Sequence, residues 1–217
     1  MEDIKLIHGD SLQALKGYGD NYFDVAIVDP PYGIDIMNNN GKGIKGGKSF
    51  LRGKNGFKKY EPKEWDKHPP SKEYFKELFR VSKNQIIWGA NHFVEHLPPR
   101  KCWVVWDKTQ RDFSFSDGEL AFTSFETKLK IFTAGRGVIV AEGKIHPTQK
   151  PIKLYKWLLE NYTSEGDLIL DTHLGSGSIA IACHYMKRKL IGYEIDKEYY
   201  DAACKRFKLQ TKQIALW

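Results

Sequence analysis

The chain has 217 residues, 41% of them apolar and 13% aromatic, enough for one compact domain with a full core and too few for two independent catalytic domains. Its formal charge of +7 is local: residues 37–60 hold seven cations, Lys42, Lys45, Lys48, Arg52, Lys54, Lys58 and Lys59, and no acid, so the rest of the chain is balanced. A basic block of this kind points to one polyanion contact and against a generally sticky surface. Cys102, Cys183 and Cys204 stand far apart, which indicates neither a disulfide framework nor a zinc site. The opening residues lack the apolar run of a signal peptide, and no stretch approaches the roughly 18 apolar residues of a membrane span, so a cytoplasmic protein is expected.

In chain order, apolar clusters bounded by Gly, Pro and Asp predict strands at 4–7 and 23–28. Residues 37–60, with six glycines and four asparagines among the cations, predict a mobile surface loop. A helix follows at 71–81, then strands at 85–88 and 102–106. Pro151 suits a first helical turn, and Leu154, Trp157 and Leu158 then recur at helical spacing, so a helix is expected over 151–162. A strand at 168–170, a helix at 178–186, a strand at 190–193 and a helix at 197–209 complete the pattern. Several strands are bare apolar runs, as in sheets covered on both faces, and the alternation argues for an α/β fold with a mostly parallel sheet. One domain over 1–217, with a C-terminal tail from about 210, is the expected organisation.

The segment Asp167-Leu-Ile-Leu-Asp171-Thr-His-Leu-Gly175-Ser-Gly177-Ser-Ile-Ala180 runs from a strand through a glycine turn into a helix, and Glu194 ends the next strand. Glycines let a ligand approach the backbone, the helix start offers free N–H groups, and the later acid suits a ribose diol. An adenosine-containing cofactor fits. The spacing also satisfies the dinucleotide pattern, but a pyrophosphate is disfavoured beside Asp171 and Glu194. The ammonium and sulfonium of S-adenosylmethionine suit those carboxylates.

Directly after the second strand stands Asp29-Pro30-Pro31-Tyr32. With the glycine turn, with Trp88-Gly-Ala-Asn-His-Phe93, Trp106-Asp-Lys108 and Phe115-Ser-Asp-Gly-Glu-Leu120, and with His146-Pro-Thr-Gln-Lys-Pro151, it resembles bacterial and phage site-specific DNA amino-methyltransferases. The tetrad precedes the cofactor glycines, which is the circularly permuted motif order of the β-class. The resemblance implies the S-adenosylmethionine-dependent methyltransferase fold with a doubly wound sheet. It implies a methylation enzyme of the kind found in restriction-modification systems. An exocyclic base amine is a poor nucleophile because its lone pair is delocalised into the ring. Asp29 and the Pro30 carbonyl can each accept one amine hydrogen, Pro31 removes a competing N–H and stiffens the turn, and Tyr32 offers a ring to an extruded base. Asp29 is expected to have an ordinary carboxyl pKa and so to be a weak base, with the proton leaving during or after transfer.

Carried over residue by residue, the resemblance gives Asp171 and Gly175 to the methionine moiety, Glu194 to the ribose hydroxyls and Ile195 to the adenine face, with Gly177 also expected at the cofactor. Asp10 falls at the adenine edge, and Thr148 and Gln149 near the methionine carboxylate. His173 stands where the family commonly has Phe. Asp at the first tetrad position resembles adenine-specific enzymes, so N6 of adenine in DNA is the expected target. Cytosine N4 is the alternative, and a catalytically inactive DNA-binding module is a second. Only 133–144 remain for a recognition segment, so the seven cations of 37–60 are expected to meet phosphates, with base reading by that loop left open. His92 and His96 are read as ordinary groups and no metal site is indicated. Trp103 and Trp106 are read as core, and Asp107 and Lys108 as near the substrate. The tail Gln213-Ile-Ala-Leu-Trp217 resembles peptides that bind the bacterial sliding clamp, with an ordinary folded-back C-terminus as the other reading.

Overall fold

The computed structural model describes residues 3–34, 68–111, 116–135 and 137–212. The basic segment 37–60 and the tail 213–217, with the phosphate and clamp contacts expected of them, lie outside the described residues. Eight strands form one sheet in the order β1-β8-β7-β2-β3-β5-β4-β6. They are β1 (Ile4–His8), β2 (Phe23–Val28), β3 (Ser82–Trp88), β4 (Trp103–Asp107), β5 (Gly118–Thr123), β6 (Lys130–Thr133), β7 (Leu168–Asp171) and β8 (Lys189–Glu194). All pairings are parallel except the two that β5 makes with β3 and β4.

The bare apolar run of β2 has a simple cause. Val25 and Ile27 enter one core cluster, while Phe23, Ala26 and Val28 enter the other. From Val25 on, successive side chains point to opposite faces and both faces are covered, so those positions are apolar, while Asp24 near the start of the strand is only partly buried and accepts from Lys83 Nζ and Leu168 N. Helices α1 (Ser11–Leu15) and α2 (Lys72–Val81) cover one face through Leu15, Phe75 and Leu78. On the other lie α3 (Gly137–Ala141), α4 (Ile152–Tyr162) and α5 (Ser178–Tyr185), with Ala203 of α6 (Lys197–Thr211). Ile179 to Cys183 of α5 are all buried because that helix packs between α4 and α6 as well as on the sheet. Among the described residues no helix is long and apolar enough to cross a membrane.

The expected strands and long helices are all present, with ends shifted by a few residues. Pro151 is the residue before α4, in extended backbone, rather than part of its first turn; the Glu142 carboxylate accepts from Ile152 N at 2.9 Å in place of a capping side chain. Ser71 and Asp196 cap α2 and α6. Strands β5 and β6 and helices α1 and α3 have no counterpart in the sequence-based pattern.

Topology fixes the position of the site. Because β1, β8, β7, β2, β3 and β4 run parallel, their C-terminal ends share one edge of the sheet. Strand β5 runs the other way, so its first residues, Gly118 and Glu119, arrive at that same edge, opposite Asp107 and Trp106. Ligands of open α/β sheets bind at this edge, where strand order reverses.

Candidate active site

Asp29 leaves the end of β2 and Tyr32 folds back over it, donating its hydroxyl to Asp29 Oδ1 at 2.7 Å. The Tyr32 ring stacks on His92 at a centroid distance of 4.9 Å and an interplanar angle of 12°. It also lies directly over Gly89, where a Cβ would come 2.0 Å from the ring. Gly89 has φ +67°, in the left-handed region, so the end of β3 gives both the backbone turn and the space that the tyrosine needs. His96 packs against Phe75, so the two histidines face separate partners. Trp106 is 1% exposed and donates its indole N–H to Ala134 O, in keeping with core packing.

The other oxygen of Asp29 is paired with a group that sequence reasoning did not single out. Lys150, in the segment entering α4, is almost fully buried, with its Nζ 5.2 Å from the centroid of the Trp88 ring and paired with Asp29 Oδ2 and, at 3.0 Å, with Glu119 Oε2. Glu119 Oε1 in turn meets Lys108 Nζ at 2.6 Å. Four ionisable groups from the ends of β2, β4 and β5 and from the start of α4 thus form one charge-balanced row. Lys108 does approach the site, as expected, through Glu119; Asp107 is turned away, toward Arg111. Burial pushes the Asp29 carboxyl above its ordinary range, against the opposing pull of Lys150 and Tyr32. The expectation of an ordinary carboxyl at Asp29 is therefore corrected. Glu119 is held down at about 2, because Lys150 and Lys108 outweigh its burial.

The tetrad separates two hollows. On one side a cavity of about 280 Å³ is lined by Asp29, Pro31, Thr148, Gly175, Glu194 and Ile195, among others. It adjoins a shallower cleft bounded by Asp10, Tyr74, His173 and the same Glu194 and Ile195. On the other side a cavity of about 580 Å³ is lined by Tyr32, Gly89, Asn91, His92, Glu119 and Lys150, among others. Pro30 is buried in the partition.

Glu194 Oε2 accepts from Gly175 N at 2.8 Å and Oε1 from Asp196 N at 2.9 Å, tying the glycine turn to the end of β8. Burial raises its carboxyl above the usual range. Ile195 beside it is 59% exposed at the lip of the cavity, an apolar surface suited to a flat ring. His173 contacts the edge of Tyr74, whose hydroxyl bonds Thr172 Oγ1 at 2.6 Å. Burial lowers His173 to about 4, so a neutral ring fills the place where the family commonly has Phe.

Four of the residues expected at the cofactor have other partners in the structure or stand back from the cavity. Asp171 does not line the cavity; it lies behind the turn, accepts from His173 N at 3.0 Å, and burial pushes it up to about 8. Gly177 does not line it either; it faces α6, where a Cβ would come 3.2 Å from Ala203. Gln149 lines the cavity, and its amide accepts from Ile145 N and donates to Gly143 O. Asp10 is spent on the N-cap of α1 at the rim of the adjoining cleft. Lys150 and Glu119 are the groups that were missed. The one local signal was their place in the quoted motifs, Glu119 within 115–120 and Lys150 within 146–151.

Residues 98–205, about half of the chain, match the family model described as DNA methylase, of the N6/N4 type. The type II methyltransferase M.HpaI of Haemophilus parainfluenzae is 28% identical over 249 residues, covering 94% of this chain and 74% of that protein. The type II methyltransferase M2.DpnII of Streptococcus pneumoniae is 25% identical, covering 95% and 90%. Among solved structures, the complex of M1.HpyAVI with SAM superposes with a TM-score of 0.58 at 22% identity, covering 94% of this chain and 99% of that one. The cytosine-N4-specific PvuII DNA methyltransferase superposes at 0.60 with 13% identity, covering 97% and 92%. Fold, motif order and alignments over nearly the whole length agree: this chain belongs to the N6/N4 DNA methylase family.

Proposed function

We propose that the chain transfers a methyl group from S-adenosylmethionine to the N6 amine of adenine in DNA. The observation that carries this reading is the partition: Asp29 and Pro31 line one cavity and Tyr32 the other, so a donor and an extruded base would meet across the tetrad. The donor cavity fits S-adenosylmethionine by charge. Among the described residues lining it, Lys150 is the one cation, and it is already paired with Asp29 and Glu119. His146, lowered to about 3 by burial, is neutral. A pyrophosphate would therefore meet carboxyls without a compensating charge, while a cationic ligand relieves the raised Glu194 and Asp171.

When bound, S-adenosylmethionine supplies an electrophilic methyl on a sulfonium. The chain does the rest. Glu194 would hold the ribose hydroxyls, Ile195 the adenine face, and Thr148 and Gly175 the methionine end. Asp29 and the Pro30 carbonyl would each accept one hydrogen of the target amine, turning its lone pair toward the methyl, and the Asp29 charge faces the positive charge that develops on nitrogen. Tyr32 and His92 would form the wall that receives the base. The basic residues of 37–60 would neutralise phosphates, a contribution that weakens as salt rises.

Glu194→Ala is expected to weaken S-adenosylmethionine binding by about 1.5–3 kcal/mol, since charge-assisted hydrogen bonds are lost. Titration calorimetry reads it, and unchanged affinity would remove Glu194 from the site. For the reaction itself, plasmid DNA incubated with the protein and S-adenosylmethionine and digested to nucleosides should contain N6-methyldeoxyadenosine. N4-methyldeoxycytidine in its place would reassign the base, and no modified nucleoside would favour an inactive DNA-binding module.

A further inference from the structure

We propose that Lys150 is a positioning residue for the acceptor carboxylate: gripped by Glu119, its ammonium keeps Asp29 anionic and turned so that a lone pair faces the target amine. The inference rests on the reading of Asp29 given above and adds a residue to it.

The geometry requires such a group. Asp29 sits between two cavities with its side chain 15% exposed, and a carboxyl so far withdrawn from water takes up a proton more readily than one in solvent. Once protonated it would donate where it has to accept, and it would carry no charge to meet the nitrogen. Tyr32 contributes one neutral hydrogen bond to Oδ1, and Lys150 contributes a full charge at Oδ2. Lys150 is held in place, because Glu119 meets its ammonium at 3.0 Å and the Trp88 ring lies 5.2 Å from the same nitrogen. Glu119 is itself fixed by Lys108 at 2.6 Å, so the second carboxylate does not leave the row with a net negative charge. Each member comes from a different element, and the antiparallel course of β5 is what delivers Glu119. The other titratable groups around Asp29 are Asp171 behind β7, Tyr155 of α4 and Tyr74 of α2, none of them cationic. Lys150 is thus the one positive charge in contact with Asp29 among the described residues.

The test is the pH profile of single-turnover methyl transfer to duplex DNA. Activity that needs Asp29 ionised is full above its pKa and falls as pH drops through it. Removing the neighbouring positive charge raises that pKa, so in Lys150→Met the acid limb should move up by more than about one pH unit, with transfer recovered toward higher pH. S-adenosylmethionine affinity should stay near the parental value, and Lys150→Arg should bring the limb most of the way back. A uniform loss at every pH, or a loss that follows cofactor affinity, would make Lys150 a structural or cofactor-binding residue and overturn the inference. If Lys150→Met does not fold, the charge-balanced Lys150→Met/Glu119→Gln double variant should show a smaller upward shift, since the contacting Lys150 charge outweighs the Glu119 charge that opposes it, and an unmoved limb there also overturns it. If the parental protein transfers no methyl to DNA, the functional reading fails and this inference with it. Transfer with an unmoved limb sinks this inference alone.

Discussion

Asp29→Ala is expected to reduce methyl transfer by at least about 100-fold while S-adenosylmethionine still binds, the loss seen when one preorganised electrostatic partner of a reacting centre is removed. Asp29 stands at the wall between the cavities, and its oxygens meet Tyr32 and Lys150, while the groups assigned to the cofactor, Glu194 and Ile195, lie at the end of another strand, β8. Truncation leaves Lys150 paired with Glu119, so the row loses its outermost member and the fold keeps its core. Rapid-quench transfer and calorimetric binding, measured on the same preparation, separate the two effects. Equal losses of transfer and binding would place Asp29 in the cofactor site and contradict its role at the amine.

The second large effect is expected from Gly89→Ala. A methyl group there meets Tyr32 Cε1 at 2.0 Å, and the φ of +67° adds strain for any residue with a Cβ, about 1–2 kcal/mol. The ring cannot stay over Gly89, so its hydroxyl leaves Asp29 and its stacking on His92 is lost. Misplacement of this size at a reacting centre is expected to cost roughly 100-fold in kcat/KM for DNA. Cofactor binding should be spared, since Gly89 lines the other cavity. Full activity in a folded variant would show that the observed place of Tyr32 is not the working one.

Much of this was legible in the sequence because the signals are local. The run 23–28 reads as a doubly covered strand since both faces of β2 are buried, and the tetrad that follows it announces itself by composition. The turn at Gly175 and the acid at Glu194 are spaced by the β7-α5-β8 unit, whose lengths are set by the fold. What was missed depends on contacts between distant parts of the chain. Strand β6 has four residues, two of them exposed, and is a strand only because β4 pairs with it. Strand β5 was quoted as part of a family motif, yet nothing local says that it runs antiparallel. That one fact brings Glu119 to Lys150 and Lys108. The Asp29 environment was misjudged for the same reason, since its cation comes from a segment more than 100 residues away along the chain. Asp171 and Gly177 show the converse: strong motif positions whose contacts here are with His173 N and with Ala203 of α6.

The central claim is that donor and acceptor meet across the tetrad from two different cavities. A crystal structure of the protein with a non-reactive S-adenosylmethionine analogue and a duplex carrying its target site tests it most directly. The analogue is expected beside Glu194 and Ile195, and an extruded adenine in the cavity of Tyr32, His92 and Glu119, with its N6 within hydrogen-bonding distance of Asp29 and the Pro30 carbonyl. A base that enters elsewhere, or an amine out of reach of Asp29, would contradict it.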